Sequence, residues 1–189
     1  MYLQLGIEHI TDLKGYDHIL FLITLLAVYQ LKHWKKVLIL ITAFTIGHTV
    51  SLIVASFDLV SVSKAWIEFL IPVTILLTAL GNIFIPKAES SKGHHIYKYL
   101  IALVFGLIHG LGFSNYLKSL IMNEDSLAGP LLSFNLGIEV GQLIILTAFM
   151  FLGILTIEIF KAKPRDWSLV FSGAGLGVAI ILMIERFPV

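Results

Sequence analysis

The chain has 189 residues, of which 58% are hydrophobic and only 13% charged, with a mean hydropathy of +0.94. That balance excludes a soluble domain, about a quarter of whose residues are normally charged, and indicates a polytopic membrane protein. The absence of cysteine rules out a disulfide framework and any thiolate ligand or nucleophile, and a net charge of +1 gives no reason to expect a nucleic-acid partner.

A helix needs about 20 apolar residues to cross the hydrocarbon. Six apolar runs, separated by short charged turns, predict spans over Tyr16–Gln30, Trp34–Phe57, Val62–Ile85, Ile96–Tyr116, Leu131–Phe160 and Trp167–Phe187. The first is short and the fifth long, so the fifth should tilt or protrude. Ahead of them, residues 1–15 read as an extracytoplasmic or re-entrant segment bearing His9. A cleaved signal peptide is not expected there, because Glu8 and Asp12 stand where a basic region would. Residues 1–189 thus read as a single integral membrane domain, an all-α transmembrane bundle. Trp34, Trp66, Tyr97, Tyr99, Tyr116 and Trp167 fall near span ends, as an aromatic belt requires. Pro86 to His95 reads as a flexible hydrophilic loop. Gly106, Gly110 and Gly112, then Gly137 and Gly141, then Gly173 and Gly177 are spaced for close helix approach.

Short loops rich in Lys and Arg stay cytoplasmic. Lys32, Lys35 and Lys36 lie in the first loop, Lys87, Lys92 and Lys98 in the third, and Lys161, Lys163 and Arg165 in the fifth; Lys14, Lys64, Lys118 and Arg186 lie on the other side. Nine against four places both termini outside the cytoplasm, in a multi-pass membrane protein.

With that topology every intramembrane ionisable group acquires a depth, since a helix rises about 1.5 Å per residue. Asp17 and His18 open the first span, His48 lies toward the outer end of the second, Glu68 begins the third, His109 nears the end of the fourth and Glu139 enters the fifth. All fall in the outer half of the bilayer. Burying such groups is costly, so they mark a functional site by default. Together with His9 they offer four imidazoles and three carboxylates, a donor set suited to a divalent transition metal such as nickel, cobalt or zinc. Thr45, His48 and Ser51 share one helical face, and Asn135, Glu139 and Gln142 form a polar stripe; Thr45, Ser51, Asn135 and Gln142 are natural partners behind the ligands. Taken alone, the first stripe is equally compatible with backbone hydrogen bonding and a satisfied core histidine. In the second, Glu139 argues against plain interhelical hydrogen bonding, since a carboxylate at that depth wants a cation or must stay protonated.

The ordered motifs carry a resemblance. His9, then Gly15-Tyr16-Asp17-His18-Ile19-Leu20-Phe21, Phe44-Thr45-Ile46-Gly47-His48-Thr49-Val50-Ser51-Leu52, Glu68, His109-Gly110-Leu111-Gly112-Phe113 and Phe134-Asn135-Leu136-Gly137-Ile138-Glu139-Val140-Gly141-Gln142 closely resemble the HupE/UreJ family of proposed nickel and cobalt permeases. The resemblance implies that His9, Asp17, His18, His48, Glu68, His109 and Glu139 correspond to polar positions that family uses, with nickel as the expected ion. As a permease the protein would take up an ion in the outer pocket and release it to the cytoplasm, but the inner halves of the spans offer few oxygens, among them Thr74, Thr78, Asn82 and Thr147. The alternative is an intramembrane zinc-dependent hydrolase acting on a lipid or lipid-linked substrate. There, three ligands and an open fourth position would lower the pKa of a bound water toward about 7.

Overall fold

Lipid offers no partners to backbone N–H and C=O groups, so an apolar chain must close its hydrogen bonds within helices. The computed structural model describes residues 1–60, 62–84, 92–121 and 126–188. Among them are seven α-helices and no strand: α1 (Tyr2–Thr11), α2 (Asp17–Leu26), α3 (Trp34–Ser56), α4 (Lys64–Phe84), α5 (Lys92–Ile121), α6 (Ala128–Ile154) and α7 (Pro164–Glu185). A short 3₁₀ turn, Leu31–His33, leads into α3, and a π-helical turn, Leu155–Ile159, prolongs α6.

Five of these helices, α3 to α7, are long and apolar enough to cross a membrane. The apolar run from Tyr16 to Gln30 behaves differently. Its helix α2 ends at Leu26, and the chain tightens through bonds from the Ala27 N–H to Thr24 and from the Tyr29 N–H to Leu26. Ten residues rise only about 15 Å, half the hydrocarbon thickness. The bundle is therefore five full spans and one half-length helix. That short helix is central, touching α4, α6 and α7.

The segment before it is also helical. At Asp12 the chain leaves α1, the Lys14 N–H donates to the Asp12 Oδ1 at 2.8 Å, and α2 begins five residues later. Helix α1 packs mainly along α6, as α3 does along α5 and α4 along α7. Glycines set the closest approaches. A methyl at Gly6 would run into the Phe134 carbonyl and one at Gly137 into the Leu3 carbonyl; Gly47 and Gly106 stand in the same relation to Leu103 and Phe44. Such backbone contact is how membrane helices gain dispersion energy without a hydrophobic driving force. Gly173 and Gly177, in contrast, face open space, and Gly175 is the α7 glycine that packs, against Thr24.

Two further readings change. Of the loop from Pro86 to His95, residues 86–91 lie outside the described residues, but the backbone from Lys92 is already α5, one turn earlier than apolarity alone predicts. The side chains of His94 and His95 also lie outside the described residues. Trp167, near a span end as expected, does not face lipid: it is buried against Phe149 and Phe171, with ring centres 5.1 and 4.4 Å away, and packs α7 onto α6.

Candidate metal centre

Four helices bring four histidines to one end of the bundle. His9 comes from the last turn of α1, His18 from the first turn of α2, His48 from α3 and His109 from α5. One donor nitrogen from each of His9, His18 and His48 lies within 4.8 Å of the others. An ion holding nitrogens at about 2.0–2.1 Å in a tetrahedron needs them about 3.4 Å apart, a distance that ring rotations can close. His109 adjoins this trio, its ring centre 5.1 Å from that of His18.

The hydrogen-bond accounting is unusual. Buried polar atoms almost always have partners, yet His9 Nε2, His18 Nε2, both nitrogens of His48 and His109 Nδ1 are buried with none. Phenylalanines surround them: the Phe113 ring is 3.9 Å from His9, and Phe21 and Phe44 lie 5.1 and 5.2 Å from His109. Such rings offer the nitrogens no hydrogen-bonding group. In α1, which is too short to span, burial pushes the His9 pKa well below its ordinary value, and the nearby His18 and His48 rings push the same way. Its imidazole is neutral at physiological pH, with a lone pair to offer.

Partners on the far side of two rings fix which nitrogen faces inward. His18 Nδ1 lies 3.1 Å from Asp17 Oδ1, and Asp17 Oδ2 accepts from Arg186 Nη1 at 3.0 Å. The carboxylate thus holds the Nδ1 proton and turns Nε2 to the cluster, the arrangement that orients ligand histidines generally. Asp17 serves here as an anchor for His18, and Arg186, 169 residues away, anchors Asp17. On His109 the anchor is Thr74. Its hydroxyl donates its single proton to the Ile71 carbonyl at 2.7 Å, so towards His109 Nε2, 3.0 Å away, it can only accept. His109 must therefore carry its proton on Nε2 and present the bare Nδ1. Thr74→Ala is expected to weaken metal binding about 10–100-fold, with Thr74→Ser close to wild type, as read by metal titration of purified protein.

The remaining residues singled out from sequence occupy other places. Glu68 is 43% exposed, 3.4 Å from Lys64, and lines a vestibule of about 260 Å³ at the histidine end of the bundle with Asp12, Asp17, His9, His18, His109 and Arg186. Glu139 accepts from the Thr42 hydroxyl at 2.7 Å, between α3 and α6. Thr42 precedes His48 by six residues, about 9 Å along α3. Thr45 donates toward Gln142 Oε1 at 2.8 Å, Ser51 bonds the His48 carbonyl at 2.9 Å, and Asn135 Nδ2 bonds the Leu131 carbonyl at 2.7 Å. Thr147 bonds the Leu143 carbonyl of its own helix and is exposed, so no polar path continues from Glu139 through it.

Thr74 read from the sequence only as an oxygen of an inner half-span, and Arg186 only as a charge outside the bundle; Thr74 instead lies 3.0 Å from His109 Nε2, at the histidine cluster. A lone threonine in an apolar helix and an arginine near the chain end carry no motif; only the fold places them behind His109 and Asp17.

A family model described as HupE / UreJ protein matches residues 1–186. No curated protein and no solved structure matches the chain. With the match running over all but the last three residues, and the bundle and its histidines in the order that the motifs led us to expect, the chain belongs to the HupE / UreJ family.

Proposed function

We propose that the protein is a nickel or cobalt permease of the bacterial inner membrane, and that His9, His18, His48 and His109 bind the cation on its way in. The observation that carries this reading is the set of five buried imidazole nitrogens without partners, drawn from four helices. Leaving them so costs about 1–3 kcal/mol each, and a cation that they coordinate removes that penalty. Imidazole donors suit nickel, cobalt and zinc and disfavour magnesium and calcium. The vestibule adds the entry: with Arg186 paired to Asp17 and Lys64 beside Glu68, Asp12 is left to give it negative charge, which concentrates cations at its mouth. Asp17 and Thr74 act from behind the ligands, and Glu139 with Thr42 is a separate polar station deeper along α3. Inward release requires the phenylalanines beneath the cluster to turn aside.

Reconstituted into liposomes, the protein should carry radioactive nickel or cobalt inward above empty vesicles, with zinc as a competitor. Uptake no greater than that of empty vesicles would remove the transport reading while leaving metal binding to be measured separately.

One observation favours the zinc-dependent hydrolase as a second reading. His9 also borders a wider opening of about 780 Å³ along α1 and α5, edged by Leu5, Phe113 and Tyr116 and by the charged Glu8, Asp12 and Lys14, through which a lipid-linked substrate would meet His9. Zinc there would supply Lewis-acid chemistry with His9, His18 and His48 as ligands. His109 weighs against it, because a fourth imidazole closes the position that a hydrolytic site keeps open.

A further inference from the structure

At the opposite end of α2, α4 and α5 from the histidines lies a second cavity, of about 390 Å³. The directions of the helices fix its place. His109 is eleven residues beyond Lys98 on α5, about 16 Å along the axis, and Asn82 lies fourteen residues beyond Glu68 on α4. Its walls are apolar: Leu25, Val28, Leu77, Ile101 and Phe105. Leu77 and Tyr97, at 52% and 61% exposure, form its rim, so it opens sideways towards the bilayer. Gly81 forms part of the wall, and a Cβ there would meet nothing within 4 Å.

Thr78 and Asn82 add neutral polar groups to the α4 wall, and the one charged side chain in the lining is Lys98, at the end where α5 begins. Lys98 lies half-buried with its Nζ 5.4 Å from the centre of the Tyr29 ring, and Lys36 adds positive charge nearby. Arg165 donates to the carbonyls of Asn82 and Ile83 at 2.9 and 2.6 Å, at the end of α4. A cation such as nickel would be repelled by this end. An apolar trough that opens to the bilayer and ends in lysine suits a molecule with an acyl chain and a negative head.

We propose that this cavity binds one anionic phospholipid from the surrounding membrane, its acyl chain between α2, α4 and α5 and its phosphate at Lys98. Basic pockets between transmembrane helices recognise anionic headgroups in this way. The site is separate from the histidine cluster and does not depend on whether the protein transports metal. The two are nonetheless linked by rings: Phe105 packs edge-to-face on Phe21 at 6.0 Å, and Phe21 lies 5.1 Å from His109.

The test is native mass spectrometry of the protein exchanged into mixed micelles holding equal phosphatidylglycerol and phosphatidylcholine. Wild type should retain one phospholipid per chain, with phosphatidylglycerol favoured about fivefold or more. Lys98→Gln should remove the headgroup preference, and Gly81→Phe, which fills the trough from an open position, should release both lipids. Nickel content of the same samples reports folding and should be unchanged. If Gly81→Phe fails to fold, Lys98→Gln decides the matter alone. A wild type that retains no lipid or shows no headgroup preference overturns the proposal, as does a folded variant that retains lipid as wild type does.

Discussion

His48→Leu is expected to abolish stoichiometric nickel or cobalt binding while leaving the metal-free protein at least as stable as wild type. His48 is fully buried, and neither of its ring nitrogens has a partner. In the metal-free protein those two atoms are a liability of about 1–3 kcal/mol apiece. Leucine fills nearly the same volume without polar atoms, so the substitution removes the liability and opens no large void. Only the metal-loaded state loses. Wild type should gain thermal stability on loading, about 2.7 kcal/mol at a free ion concentration one hundred times the Kd, and the variant should gain none. Thermal unfolding in detergent, with and without the ion, reads both halves. A structural histidine would show the reverse pattern, with its loss lowering stability and leaving metal content unchanged. His18→Leu should lose the ion as His48→Leu does, whereas Glu68→Ala, at the vestibule wall, should weaken binding without abolishing it.

Gly47→Leu is expected to destabilise the bundle by about 3 kcal/mol or more and to remove metal binding with it. Even a methyl at this position meets the backbone carbonyl of Leu103, and the Leu107 N–H group is close behind. Backbone cannot move aside as a flexible side chain can, so α3 and α5 must part. That helix pair carries Phe44 and His48 on one side and Gly106 and His109 on the other, and separating it pulls two of the four imidazoles from the cluster. The same substitution at Gly173, which meets nothing within 4 Å, should be silent in both stability and metal content. Unfolding in detergent together with metal analysis checks the pair, and equal tolerance at both positions would show that close α3–α5 contact is not needed.

The long spans were legible because lipid-length apolar runs have few alternatives, and α3, α4, α6 and α7 begin or end within a few residues of where the hydropathy changes. The histidines were legible because imidazoles are rare in such runs. What the sequence hid was which partners the fold supplies. Asp17 and His18, adjacent in sequence, both read as ligands; the approach of Arg186 and the 3.1 Å contact with His18 Nδ1, which no motif signals, engage both oxygens of the Asp17 carboxylate. Glu139 shares the expected depth yet faces Thr42, because depth along a helix says nothing of the direction a side chain takes around it. Segment 1–15 was recognised as bearing His9, but not as a helix clamped on α6, since the close approach of Gly6 to Gly137 is a long-range contact that no local pattern announces. Gly173 and Gly177 show the converse: the right spacing with no helix among the described residues against it.

The most direct measurement is X-ray absorption at the metal edge of nickel-loaded protein, compared with the same spectrum of His109→Leu. Four imidazoles should appear in the wild type through their outer-ring scattering, with nitrogen neighbours at about 2.0–2.1 Å, and the variant should keep three. A folded protein whose nickel sits among oxygens without imidazole scattering, or whose spectrum is untouched by the loss of His109, would contradict the account.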